Sequence, residues 1–188
     1  DKRIDPNSTD KNGDTALMLA ARNGRGSMVT TLLADERVDR NIADQFGDTA
    51  LMLAARNGRG SVVTTLIADE RVDPNIPNQH GYTALISAIH DHRGSVVALL
   101  LADERVDPNI ANHRNQTALS RAVCSQDTSL LELLLADHRT ARTRPAADQP
   151  TEDPGRYRIR FDAALRAVKK RRNARFRGLT RAVVAFRR

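Results

Sequence analysis

Thr15, Thr49, Thr83 and Thr117 stand 34 residues apart, and each opens the same phrase, Thr-Ala-Leu. A fixed period of this size is the signature of one supersecondary unit stacked on copies of itself, not of a single globular core. The units begin at Asp10, Asp44, Asn78 and Asn112. The first two differ at only six places (11, 12, 28, 33, 40 and 43), the pattern left by an internal duplication.

Each unit reads as a turn followed by two short helices. Gly13, Gly47 and Gly81 sit where a hairpin-like tip needs positive φ. Thr49 is placed to cap a helix running to Arg56, with Gly58 as its left-handed terminator. Ser61 is then expected to open a second helix, to Ala68, with Val62, Val63, Leu66 and Ile67 as the apolar stripe. Asp73 before Pro74 ends it. Helices of about two turns are unstable alone in water, so each unit must cover its neighbour's apolar face.

The phrase Asp10-Lys-Asn-Gly13-Asp-Thr15-Ala-Leu17-Met-Leu-Ala20-Ala21-Arg-Asn-Gly24 closely resembles the ankyrin repeat, in register through Gly58. The resemblance covers residues 10 to about 138 and implies an all-α-dominated solenoid of helix pairs with short β-hairpin fingers. The family's Pro is Ala16, Ala50, Ala84 and Ala118 here, and its His is Met18, Met52, Ile86 and Ser120. The second helix runs on into Asp-Glu-Arg-Val-Asp, one residue longer than the family's Gly-Ala-Asp, which accounts for 34 in place of 33.

The organisation expected is the end of a missing or truncated repeat over 1–9, then repeats over 10–43, 44–77, 78–111 and 112–143. The last is more polar, as a solenoid end requires. Loss of the turn glycine at His92 is expected to loosen or reshape the third repeat's turn. A Pro-rich linker over 144–160 leads to a basic helical tail over 161–188, read as two short amphipathic helices, Asp162 to about Arg172 and Leu179 to Phe186.

The net charge of +7 averages two unlike pieces. Residues 1–138 carry 14 Lys+Arg against 19 Asp+Glu, a net −5, and residues 139–188 carry 16 against 4, a net +12. Within the tail, Lys169, Lys170, Arg171, Arg172 and Arg175 read as an import address, a phosphate-contacting strip or an anionic-membrane contact. The structural alternative is a degenerate repeat whose apolar stripe, Phe161, Leu165 and Val168, caps the stack. Low aromatic content and no Trp suit a core of Ala, Leu and Val, and the single Cys124 fits a reducing compartment. The chain is therefore read as intracellular, cytoplasmic with the nucleus as alternative, monomeric and free of a membrane-spanning run.

No catalytic constellation stands out, and no cofactor or metal is expected. Ser27, Ser61 and Ser95 fall at helix starts, where capping explains them. His80, His90, His92 and His113 share the finger side, but His-x-His without a third spaced ligand is a weak zinc signal. Cys124 reads as a small first-helix residue. The pairs Asp35-Glu36, Asp69-Glu70 and Asp103-Glu104, each followed by Arg37, Arg71 or Arg105, read as a salt-bridged, solvated edge.

What remains is a binding surface. The resemblance implies a protein partner along the concave face of fingertips and exposed first-helix positions. In the first two repeats these are Lys11, Asn12, Asp14, Arg22 and Asn23, then Gln45, Phe46, Asp48, Arg56 and Asn57. They continue as Gln79, His80, Tyr82, His90 and Asp91, then His113, Arg114, Gln116, Cys124 and Ser125. Phe46 and Tyr82 are aromatics where the pattern requires no apolar residue, and aromatics and Arg concentrate interface energy.

Overall fold

The computed structural model describes residues 5–142 and 159–171. It is a stack of helix pairs: α1 (Ala16–Asn23) with α2 (Gly26–Ala34), α3 (Ala50–Arg56) with α4 (Gly60–Ile67), α5 (Ala84–His90) with α6 (Gly94–Leu101), and α7 (Ala118–Ser125) with α8 (Thr128–Ala136). A short α9 (His138–Arg142) follows, and a further helix, α10, spans 159–171. The all-α solenoid expected from the period is the observed architecture.

Every first helix starts at the repeated threonine. Thr15, Thr49, Thr83 and Thr117 are extended, and each Oγ accepts the N–H of the residue three on, Met18, Met52, Ile86 or Ser120. That bond satisfies one of the donors a helix start leaves unpaired. The second helices are built differently from expectation. They begin one residue earlier, after Arg25, Arg59 and Arg93, without a side-chain cap, so Ser27, Ser61 and Ser95 lie inside the helix. Only the fourth has a side-chain cap, where Asp127 accepts the N–H groups of Ser129 and Leu130.

First helices pack on first helices, second on second, and each pair packs together. In α3 every residue from Ala50 to Ala55 is buried, and in α5 every residue from Ala84 to Ile89. A helix covered on all sides needs no polar face, which is why these segments read as apolar runs, interrupted only at Ser87. The second helices bury a single stripe, Val62, Val63 and Leu66 in α4.

The fingers stack through backbone. Gln45 N–H reaches Asn12 O at 3.2 Å, Gln79 reaches Phe46 O at 3.1 Å, and His113 reaches His80 O at 3.1 Å. Within the fingers, antiparallel bridges join Thr9 to Thr15 and Ala43 to Thr49. The turn at His92 keeps its shape rather than loosening. His92 takes φ 56°, and Arg93 N–H still reaches Ala88 O at 2.8 Å, as Arg59 reaches Ala54 O at 2.9 Å beside Gly58. The cost of losing glycine there is held as backbone strain, about 1–2 kcal/mol for a left-handed non-glycine residue.

The Asp-Glu-Arg edge carries the expected salt bridges, Asp35–Arg37, Asp69–Arg71 and Asp103–Arg105, and does more than pair its own charges. Each arginine is gripped by the aspartate two residues before it, and after Arg37 each is also turned back onto the preceding repeat. Arg71 donates to Leu33 O at 3.2 Å, Arg105 to Ile67 O, and Arg139 to Leu101 O at 2.6 Å. These carbonyls lie at the C-terminal end of a second helix, where acceptors are left unpaired and a cation is favoured. Arg40, standing where repeat 2 has Pro74, is buried and adds bonds to Leu33 O, Asp35 O and Val38 O. Asn41 and Asn75 complete the seam, each clasping the backbone of the next repeat's turn at Arg71 and Asp73 or at Arg105 and Asp107. The edge is salt-bridged and partly solvated, as expected, and also a chain of inter-repeat clamps.

The same clamps set an acid limit. Hydrogen bonds from the paired arginine hold the carboxyls of Asp35, Asp69, Asp103 and Asp137 below their ordinary value of 3.8. A carboxyl depressed in the folded state contributes stability above its unfolded pKa and loses it as pH falls through the folded one. Unfolding free energy is therefore expected to hold from neutral pH to about 5 and to fall steadily below it, by the general acid-linkage argument. Urea titrations at stepped pH check this, and Asp137→Asn, which removes one such group, should flatten the acid limb.

At the C-terminal side, Phe161, Ala164 and Val168 of α10 pack against the core, and Arg171 donates to Ser129 Oγ of α8 at 3.3 Å. The helix begins at 159, so the last two residues assigned to the linker are helical. The second tail helix, Arg172 and Arg175 lie outside the described residues. No helix among the described residues is long and apolar enough to cross a membrane.

Candidate functional site: the finger-side groove

Fingertips and first helices form one continuous face, and the 34-residue period lets it be read as columns. The fingertip column is Asn12, Phe46, His80 and Arg114; the inner finger column is Asp14, Asp48, Tyr82 and Gln116. The first-helix columns facing them are Leu19, Leu53, Ser87 and Arg121, and Arg22, Arg56, His90 and Cys124.

In the first two repeats these columns close on each other. Arg22 grips the buried Asp14 with two bonds of 2.7 Å, and Arg56 donates to Asp48 at 2.6 Å. Asp48 also takes a 2.7 Å bond from Asn78, and Arg56 reaches on to Asp91 at 3.5 Å. Asp14, Asp48 and Gln116, expected on the binding surface, are buried and serve the fingers' own interior. A carboxylate buried against a guanidinium is neutralised, so this half of the face offers a partner little unpaired charge.

From the third repeat the chemistry changes. Tyr82 replaces the aspartate and lies against His90, ring centres 5.7 Å apart, and against His80 at 6.2 Å. A cavity of about 600 Å³ opens here, bounded by Phe46, Tyr82, His80, His90, His113 and Arg114, with Ser87 and Arg121 also lining it. A second of about 370 Å³ continues toward the first repeat past Arg56, Leu53 and Arg22. Phe46 borders both and is 56% exposed, so more than half of its surface stays open to the cavities and solvent. Lys11, Asn12, Asn23, Gln45, Asn57 and Gln79 are exposed along the rim. No cluster of three or more metal-ligating side chains forms among the described residues.

A family model described as ankyrin repeats (3 copies) matches residues 2–78 and again 59–144. The chain belongs to the ankyrin-repeat family. No curated protein matches it. Ankyrin repeats are generally protein–protein interaction modules and typically non-enzymatic, so protein partners are implied for this ankyrin chain.

Two groove residues escape a reading based on family positions. Ser87 is 2% exposed and its Oγ meets no hydrogen-bond partner; Arg121 has a buried Nε in the same condition. Both stand in the column that is Leu19 and Leu53 earlier in the ankyrin stack, and Leu53 is buried. The signal was present as a column turning from leucine to serine and arginine, but only the fold shows that the change faces the finger-side cavity. Away from the groove, Lys169, Lys170 and Arg171 are exposed on α10, Arg171 on the side that meets Ser129.

Proposed function

We propose that this ankyrin chain is a protein-binding scaffold that seats an extended segment of a partner along the groove of repeats 2 to 4. The observation that carries this reading is Phe46, a large aromatic held exposed on a rigid fingertip between two cavities. Tyr82 and Arg56 flank it, and a clustered aromatic and arginine set is the composition that dominates interface energies. The stack is pre-formed, so docking need not order the groove itself. The setting is intracellular and the scaffold acts as a monomer.

A photo-crosslinking residue at position 46 should capture a partner that the same group at the outward Thr30 does not. Phe46→Ala should then weaken that partner by about 1–2 kcal/mol, read by titration calorimetry, as should Tyr82→Ala. Removing residues 145–188 should leave binding intact. A bound complex in which neither Phe46 nor Tyr82 loses exposed area overturns the reading.

A further inference from the structure

We propose that the partner segment is acidic, and that the groove reads one of its carboxylates over Ser87 with the guanidinium groups of Arg121 and Arg114. This rests on the groove being a docking surface, and it adds the chemistry of what docks.

The argument is one of unpaired charge. Five fixed charges line the larger cavity: Asp48, Asp91, Arg56, Arg114 and Arg121. Arg56 bridges both carboxylates, at 2.6 and 3.5 Å. Arg114 and Arg121 pair with no carboxylate among the described residues, so the cavity keeps an excess of positive charge. Arg121 Nε is buried without an acceptor, and Ser87 Oγ beside the same cavity is buried without a partner. Unsatisfied buried donors carry a penalty that a ligand acceptor removes, and a charged acceptor removes it best.

A carboxylate matches this donor set, because a guanidinium N–H and a hydroxyl can both donate to its oxygens while the net charge is cancelled. A neutral amide would leave the excess charge in place. A nucleic-acid backbone fits less well, since toward the first repeat Arg22 and Arg56 are already taken up by Asp14, Asp48 and Asp91 and leave repeating phosphates little free positive charge. The same pairing leaves the repeat 3–4 end as the place for a negative side chain. Phe46 and Tyr82 then supply apolar contact for the residues flanking it.

Panning a random dodecapeptide phage library on the full chain tests the inference. The selected peptides are synthesised with a fluorescent label and titrated by anisotropy, and hydrogen exchange locates them. Peptides protecting the groove are expected to carry an Asp or Glu whose change to Asn or Gln weakens binding about tenfold. Arg121→Gln should weaken the parent peptide to a similar degree and leave the amidated peptide nearly unaffected, so that the two losses do not add. Arg114→Gln, at an exposed fingertip, tests the same coupling should Arg121→Gln disturb folding. A groove-bound peptide indifferent to its carboxylates overturns the inference while leaving the docking surface standing. So does a labelled single-stranded oligonucleotide that binds in an Arg121-dependent way when acidic peptides do not. If selected peptides protect other faces only, the docking reading fails, and the inference with it.

Discussion

Gly81→Ala is expected to lower the unfolding free energy by about 3 kcal/mol, far more than alanine costs in an ordinary loop. Two effects combine. Gly81 has φ 76°, a conformation that costs a non-glycine residue about 1–2 kcal/mol. An added Cβ would also stand 2.7 Å from His113 N and 2.8 Å from Asn112 Cα, both backbone atoms of the next finger. Backbone cannot swing aside as a flexible side chain can, so the third and fourth fingers must part. The 3.1 Å bond from His113 N–H to His80 O is then lost. A shift in the urea midpoint at unchanged slope measures the effect. Asn115 supplies the contrast: it holds the same finger position at φ 55°, and asparagine is among the few side chains that visit this region routinely. Asn115→Gly should therefore change stability little, and a Gly81→Ala loss below about 1 kcal/mol would show that the fingers separate freely.

Leu85→Ala should cost a comparable amount, about 3–4 kcal/mol, and should change the character of unfolding as well. Leu85 is 1% exposed in α5, which packs against α3 on one side and α7 on the other. Truncation leaves a cavity that rigid neighbouring helices only partly close. In a stack, each repeat is stabilised mainly by its nearest neighbours, so weakening the third loosens its coupling to repeats 2 and 4 together. Circular dichroism and hydrogen exchange followed through urea should show two separated transitions for Leu85→Ala where the parent shows one. A single transition at reduced midpoint would mean that the seam of asparagine and arginine clamps carries the coupling without the core. The acid titration helps to separate these contributions, since the aspartate–arginine clamps weaken at low pH while Leu85 is indifferent to it.

The period, the helix pairs, the threonine caps and the glycine turns were all determined by sequence, because each rests on interactions within a few residues repeated in phase. Thr49 caps its own helix and Gly58 ends it, whatever lies around them. Contacts made 30 to 38 residues away were decided only by the tertiary structure. Arg105 looks like a surface partner of Asp103 until the preceding repeat places Ile67 O within its reach. Asp14 and Asp48 look like surface charges until the fold of the finger onto its own first helix pairs them with Arg22 and Arg56, and the next repeat adds Asp44 and Asn78. Ser87 and Arg121 gain meaning only from a cavity that no single repeat encloses. Local bonding is written in residue order, whereas burial and charge neutralisation depend on which copies lie side by side.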